Sequence, residues 1–246
     1  MTFIKSLLTV SLSSLALISW AEEPITGEIE VGVISTTGNT ETNSLKSKLS
    51  VTQDTQNWKN TYRIDTLFKE EKVENNGVKE TQTSAERYFA SAQGDYKLNE
   101  KHSALFVYGS YENDRFAGFS QQDSFAVGYA DQIFGSENAF LNYNAGPGYF
   151  YNEDNDGNIE EGGIIRLALD YQLTLSETAK FKQLLSTEAA VESDDNTKSK
   201  SETSIAATLM GNLSLKASYN IIHNSHVPDG IEKTDTTTSL SILYLF

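Results

Sequence analysis

Three side chains near the C-terminal end are of types that can do nucleophilic chemistry: His223, Ser225 and His226. A serine becomes a nucleophile when a base takes its proton and a third group holds that base in line. His223 and Ser225 are two residues apart in an extended segment, so they lean side by side on one face instead of one aiming at the other. No Gly-x-Ser-x-Gly elbow surrounds the serine. His102 stands alone just after a turn, and three scattered histidines make no metal site. A lipid-modifying hydrolase is therefore the third of three functional readings, and rim histidines are the simpler account.

The segment from Asn152 to Glu160 points to a different chemistry. Its oxygen-bearing residues Asn152, Asp154 and Asp156, followed by Gly157 and Ile159, follow the opening of an EF-hand calcium loop. The place that should hold the bidentate glutamate is Gly163, and no helices flank the loop. Asp154, Asp156 and Glu160 remain candidates for weak divalent-cation binding, beside the plainer reading of an acidic hairpin loop. A second acidic stretch, Glu192-Ser193-Asp194-Asp195, belongs at the same rim, where bound cations could bridge to anionic lipopolysaccharide. No cofactor is expected.

A third set of residues is charged and strictly spaced. Glu28, Glu30, Lys46, Lys48, Arg63, Asp65, Arg87, Asp95, Lys97, Arg166, Asp170, Glu188, Glu202 and Lys216 all fall on the polar phase of an alternating pattern. From Ile165 the odd positions run Ile165, Leu167, Leu169, Tyr171, Leu173, Leu175. The even ones run Arg166, Ala168, Asp170, Gln172, Thr174. The same split recurs from Leu213 to Ile221, from Trp58 to Lys69 and from Leu141 to Asn152. Period two is the signature of a strand between two unlike surroundings, and no helical stripe fits these windows.

Composition sets the surroundings. The 246-residue chain has no cysteine, which excludes disulfides, thiol nucleophiles and thiolate metal sites. Its formal charge of −15 leaves nothing to neutralise a run of phosphates, so nucleic acid is not a partner. Residues 1–21 read as a secretory signal: Lys5, an apolar serine-spaced run from Leu7 to Ile18, then Ser19-Trp20-Ala21 with small residues where signal peptidase needs them. Residues 22–246 then form one domain. No stretch after Ala21 is apolar and long enough for a membrane helix, so a membrane would be crossed by strands.

Short polar breaks fall near Asp54–Asn57, Asn99–Lys101, Gly135–Glu137, Ser176–Ala179 and Gly211–Asn212. Mostly longer ones alternate with them: Gly38–Glu41, Glu71–Gln82, Asp114–Ser120, Glu153–Glu160, Asp194–Lys198 and His226–Lys233. Eleven breaks separate 12 strands, with short turns on one side and longer loops on the other, the pattern of an all-β, antiparallel, transmembrane outer-membrane barrel. The chain ends on Phe246, with Tyr244, Ile242 and Leu240 on the same face, which is similar to the signal by which outer-membrane barrels are recognised for insertion. Tyr96, Tyr149, Tyr151, Tyr219, Trp58 and Tyr244 are placed in the interfacial girdles. In β-strand five, Leu105, Phe106, Val107 and Tyr108 make both faces apolar and leave its phase open.

The run from Val31 to Leu45, with Thr37-Gly38-Asn39-Thr40 at its centre, resembles the opening of the salt-induced outer-membrane protein family (domain of unknown function 481). The resemblance spans roughly Glu28 to Phe246 and implies an outer-membrane barrel tied by name to salt or envelope stress, with no established enzymatic activity. Gly38-Asn39 itself reads as a tight hairpin turn.

The mixed signs of Arg63, Asp65, Arg87, Arg166, Asp170 and Glu188 suit charges that pair inside a narrow lumen, where an ion-selective pore would show like charges. The expected role is an envelope barrel with a structural or salt/stress-associated function, with passage of small solutes as an added capacity. The alternative is a substrate-selective porin. Its partners would be outer-membrane lipid, lipopolysaccharide and, during insertion, the barrel-assembly machinery.

Overall fold

The computed structural model describes residues 24–36, 42–75, 78–98, 102–114, 116–192 and 195–246. The signal segment 1–21, the Gly38-Asn39 turn, the Asn99–Lys101 break and Ser193-Asp194 lie outside these residues. Among the described residues there is no helix. The strands are β1 (Ile25–Thr36), β2 (Thr42–Asp54), β3 (Trp58–Asn75), β4 (Val78–Lys97), β5 (Ala104–Asp114) and β6 (Phe119–Gly135). They continue as β7 (Ala139–Asp154), β8 (Ile159–Ser176), β9 (Ala179–Ala190), β10 (Lys198–Met210), β11 (Leu213–Asn224) and β12 (Thr234–Leu245). Each pairs antiparallel with its sequence neighbours, and β12 pairs with β1 to close the ring. Closure pairs the two end strands with each other, where an open sheet would leave both edges bare in hydrocarbon.

Alternation becomes inside and outside. Ile165 and Leu167 are exposed on the outer wall, while Ile164 and Arg166, which alternate with them, are buried. Trp58 and Tyr96 pack edge to face on the exterior at 5.3 Å, and Phe134, Tyr171 and Phe181 form a second outer aromatic group. Tyr149, Tyr219 and Tyr244 are exposed on the same outer surface.

The Glu71–Gln82 break is not a loop. Main-chain pairing continues from Glu71↔Gln82 to Asn75↔Val78, leaving a two-residue connection. A strand pairs through its backbone, so a run rich in Glu, Lys and Asn can still extend a hairpin. Farther down, a register shift at Lys69/Glu70 makes Ser84 the extra residue of a β-bulge.

β5 resolves its own ambiguity. Phe106 and Tyr108 face inward against Ala126, while Leu105 and Val107 are exposed outside. The neighbouring wall is pinched at Gly128 and Gly146. A Cβ on Gly146 would overlap the Val127 carbonyl oxygen and lie 2.6 Å from the Gly128 Cα, and one on Gly128 would lie 2.8 Å from the Phe106 ring. Pro147 sits here with no N–H to give the ladder, and regular β6–β7 pairing is interrupted between Ala126↔Gly148 and Tyr129↔Ala145.

The closing seam is short. β1 and β12 pair from Glu28↔Leu245 to Val31↔Ile242. Gly27 and Phe246 extend this by exchanging N–H···O bonds of 2.8 and 2.9 Å.

Candidate functional site

The lumen is filled by side chains from nearly every strand. Glu112, on the inward phase of β5, lies 2.7 Å from Lys200 Nζ and accepts a hydrogen bond from Lys198, both on β10. Those strands are five apart in the ring, so the bridge crosses the interior. Lys198 also donates to Gln122 on β6, and Arg87 Nε on β4 lies 3.6 Å from the other Glu112 oxygen. Lys200 sits 4.1 Å from the Phe89 ring centre on β4, a cation–π contact.

A second network braces the seam side. Lys216 on β11 donates to Glu30 at 2.8 Å and to Glu202 at 2.7 Å, and Lys48 on β2 donates to Glu202 at 3.1 Å. Ser241 donates to Glu30 at 2.9 Å. Lys46 completes it, 3.2 Å from Glu30 and donating to Ser218 and Ser239. Buried charges are tolerated only when paired and hydrogen-bonded, and Glu30 meets both conditions while wholly buried.

The third group is Arg166, which pairs with Glu188 at 2.9 Å and lies 3.6 Å from the Tyr108 ring centre. Ser124 donates to Glu188 at 2.7 Å. Phe106, Phe150 and Ile164 pack the remaining space. Of the lumen charges read from the sequence, Arg166 and Glu188 are brought together, and Arg63 and Asp65 lie 3.9 Å apart. Arg87 joins Glu112, and Asp170 has no ion-pair partner among the described residues.

The sequence reading missed Glu112, Lys198 and Lys200. Counting by twos from Phe106 through Tyr108 and Ser110 reaches Glu112, and counting back by twos from Glu202 reaches Lys200 and Lys198. The apolar run in β5 and the polar break before β10 hid both counts.

A cavity of about 360 Å³ lies against the seam-side network. Lys46, Lys69, Arg87, Ser84, Asp114 and Asp235 supply its charged and polar lining, with Thr236 to Ser239 on one flank. Lys69 has no ion-pair partner among the described residues. Arg87 Nε and the bulged Ser84 hydroxyl are buried without a hydrogen-bond partner.

The other sequence candidates are committed to loop structure. Asp154 accepts from the N–H groups of Asp156 and Asn158, each at 2.8 Å, and from the Asn158 side chain at 2.7 Å. These bonds, the Asn158 side chain first, hold its carboxyl below the usual range. Glu160 points elsewhere, accepting from Asn152 and from the Asn196 N–H at 2.7 Å. Asp154, Asp156 and Glu160 therefore do not converge, and no group of three acidic or histidine side chains suited to a metal occurs among the described residues.

His223 Nδ1 contacts Thr234 Oγ1 at 2.8 Å, away from Ser225. The Ser225 hydroxyl accepts from the Thr197 N–H at 2.8 Å and lies 3.1 Å from His226 Nδ1, which also faces the Asp195 carbonyl at 3.2 Å. An Nδ1–H donated to that carbonyl cannot take the serine proton. Ser225 and His226 tie the β9–β10 and β11–β12 connections together.

A family model described as "Protein of unknown function, DUF481" matches residues 29–246. The chain belongs to the DUF481 family. The matched span begins in β1 and ends at Phe246, so this DUF481 barrel is covered by it from first strand to last. The chain is similar to the uncharacterized protein YdiY of Escherichia coli K12, 27% identical over 225 residues, covering 91% of this chain and 84% of the relative. Among solved structures it is similar to the NanC porin (7% identity, TM-score 0.48, covering 90% of this chain and 98% of that one). It is also similar to the translocator domain of the autotransporter NalP from Neisseria meningitidis (11% identity, TM-score 0.45, 90% and 88%). The anion-selective porin from Comamonas acidovorans is another such barrel (8% identity, TM-score 0.42, 91% and 99%).

Proposed function

We propose that this DUF481 barrel is a structural, stress-associated component of the bacterial outer membrane whose lumen is closed to solutes at rest. The observation that carries the reading is the Glu112–Lys198–Lys200 bridge, which spans the interior from β5 to β10. Fixed charges in mutual contact leave no ladder for an ion to follow. The salt link rests on the family resemblance. Residues 1–21 direct export, and Phe246, Tyr244 and Ile242 present the insertion signal to the assembly machinery. Lipid and lipopolysaccharide then surround the wall, and fractionation tests that location.

Planar-bilayer recording tests the closed lumen. The wild-type barrel is expected to give no steady unitary current, and a Glu112→Ala, Lys198→Ala, Lys200→Ala triple variant is expected to give one. Steady wild-type currents would overturn the reading in favour of a substrate-selective porin, which the cavity at the end of the lumen favours. A lipid-modifying activity is tested by Ser225→Ala and His223→Ala: hydrolysis of phospholipid abolished by both would overturn the non-enzymatic reading.

A further inference from the structure

The outer wall is not apolar all the way round. β9 and β10 have 12 and 13 residues, and about 9–11 tilted residues are needed to cross the hydrocarbon. The middle of each strand therefore lies at hydrocarbon depth. Leu185 on β9 and Ile205 on β10 are 41% and 48% exposed and mark the outward phase, while Ser204 is buried in the lumen. Counting by twos from these two residues puts Gln183 and Thr187 of β9, and Ser199, Ser201 and Thr203 of β10, on the lipid side. Gln183 and Thr203 sit near the middle of their strands and face each other directly across the ladder.

These five side chains form a hydrogen-bonded strip. Thr203 Oγ1 donates to Gln183 Oε1 at 2.6 Å. Gln183 Nε2 donates to Ser201 Oγ at 3.1 Å and to the Leu184 carbonyl at 3.2 Å. Nearer the β9–β10 connection, the Thr187 and Ser199 hydroxyls lie 3.0 Å apart. Two capacities are left over. Ser201 only accepts here, so its own proton has no acceptor among the described residues, and Gln183 Oε1 takes one bond where an amide oxygen can take two. Elsewhere on the ring, the outward phase of β5 and β6 presents Leu105, Val107, Phe125 and Val127.

A hydroxyl proton without an acceptor is costly in hydrocarbon, because lipid tails cannot take it and no water is present. A protein surface can, and Ser, Thr and Gln side chains join packed segments inside membranes. Symmetry names the occupant. Two copies of this barrel keep the same orientation in one bilayer when their twofold axis runs along the membrane normal, so each residue meets the other copy at its own depth. A polar strip at mid-wall then meets a polar strip. With the axis between the two strands, β9 of each copy lies against β10 of the other, which brings the spare Ser201 proton to the spare Gln183 lone pair.

We propose that the β9–β10 outer wall is the surface through which two copies of this barrel pair within the membrane, Ser201 of each copy donating to Gln183 of the other. The pairing concerns the outside of the wall and does not depend on whether the lumen conducts. It requires that the wall lie in lipid, which fractionation checks separately.

The test counts subunits of the full barrel in lipid bilayers by single-molecule photobleaching, across a range of protein densities. The wild-type chain should be dimeric. Gln183→Leu and Ser201→Ala should each weaken the dimer about tenfold, since each removes two symmetry-related bonds. Both substitutions lie on the lipid face, and an unchanged heat-modifiable band shows that each variant is folded. The chain has no cysteine, so single spin labels report the geometry. Labels at Leu209→Cys, on β10, should lie closer between copies than labels at Val107→Cys, on β5. Monomers at all densities, or closer labels at Val107, would overturn the pairing. A dimer that neither substitution weakens would overturn the Ser201–Gln183 contact. In solubilised outer membranes the chain should migrate as a homodimer; release of a different protein by Gln183→Leu would assign the strip to that protein and overturn the second copy.

Discussion

Lys200 on β10 holds its ammonium 4.1 Å from the ring centre of Phe89 on β4, and these two strands stand six apart in a ring of twelve. They are diametrically opposite, so the two side chains meet across the interior. Glu112 then neutralises it from β5 at 2.7 Å. The barrel is therefore braced across its width as well as around its circumference.

Glu112 serves Lys198, Lys200 and Arg87, and removing it strands all three. Glu112→Gln is expected to destabilise the barrel by about 3–5 kcal/mol, the cost of leaving buried charge unpaired. Replacing Glu112 by Leu and Lys198, Lys200 and Arg87 by Met together should recover most of that loss. Urea unfolding in detergent micelles, compared across the single and quadruple variants, checks both outcomes.

The apolar half of the lumen responds to volume. Phe106→Ala opens a cavity beside Ala126 and should cost about 3–5 kcal/mol. Gly146→Val forces a side chain against the Val127 carbonyl and should cost about 1–3 kcal/mol or more. Both lower the temperature at which the compact form disappears on unheated gel electrophoresis.

Phe246 is paired to Gly27 through two main-chain bonds at the foot of the seam. Deleting it removes those bonds and the aromatic ring over Gly27, whose Cα has no room for a side chain beneath it. The folded fraction recovered in the outer membrane should fall severalfold, while Phe246→Tyr should be tolerated. Quantifying the heat-modifiable band in membrane fractions measures the difference.

Asp154 caps the β7–β8 loop, and its hydrogen bonds to Asn158 depress its carboxyl below the ordinary 3.8. A group with a depressed native value stabilises fully above the unfolded value and loses that contribution as pH falls through the native one. Protection of the Asn158 amide from hydrogen exchange should therefore persist at neutral pH and fade below about 3.8. Asp154→Ala should abolish this protection. Calcium should leave it unchanged, because Asp154 and Glu160 already accept from different backbone groups.

Much of this protein is determined locally along its chain. Each strand residue answers one question, lipid or lumen, so alternation such as Ile165 against Arg166 specifies the wall, its outer face and the twelve-strand count. Where that question has a third answer, local pattern stops helping. Phe106 and Tyr108 are apolar yet inward, and the polar run from Glu71 to Gln82 continues main-chain pairing where its composition reads as a loop. Only the tertiary structure decides which inward charges meet, because Glu112 and Lys198 are 86 residues apart and come together through strand register around a closed ring. The unpaired stretch of the β1–β12 seam is of the same kind: it depends on how the two ends of the chain are aligned when the ring closes, and no residue in either strand carries that alignment alone.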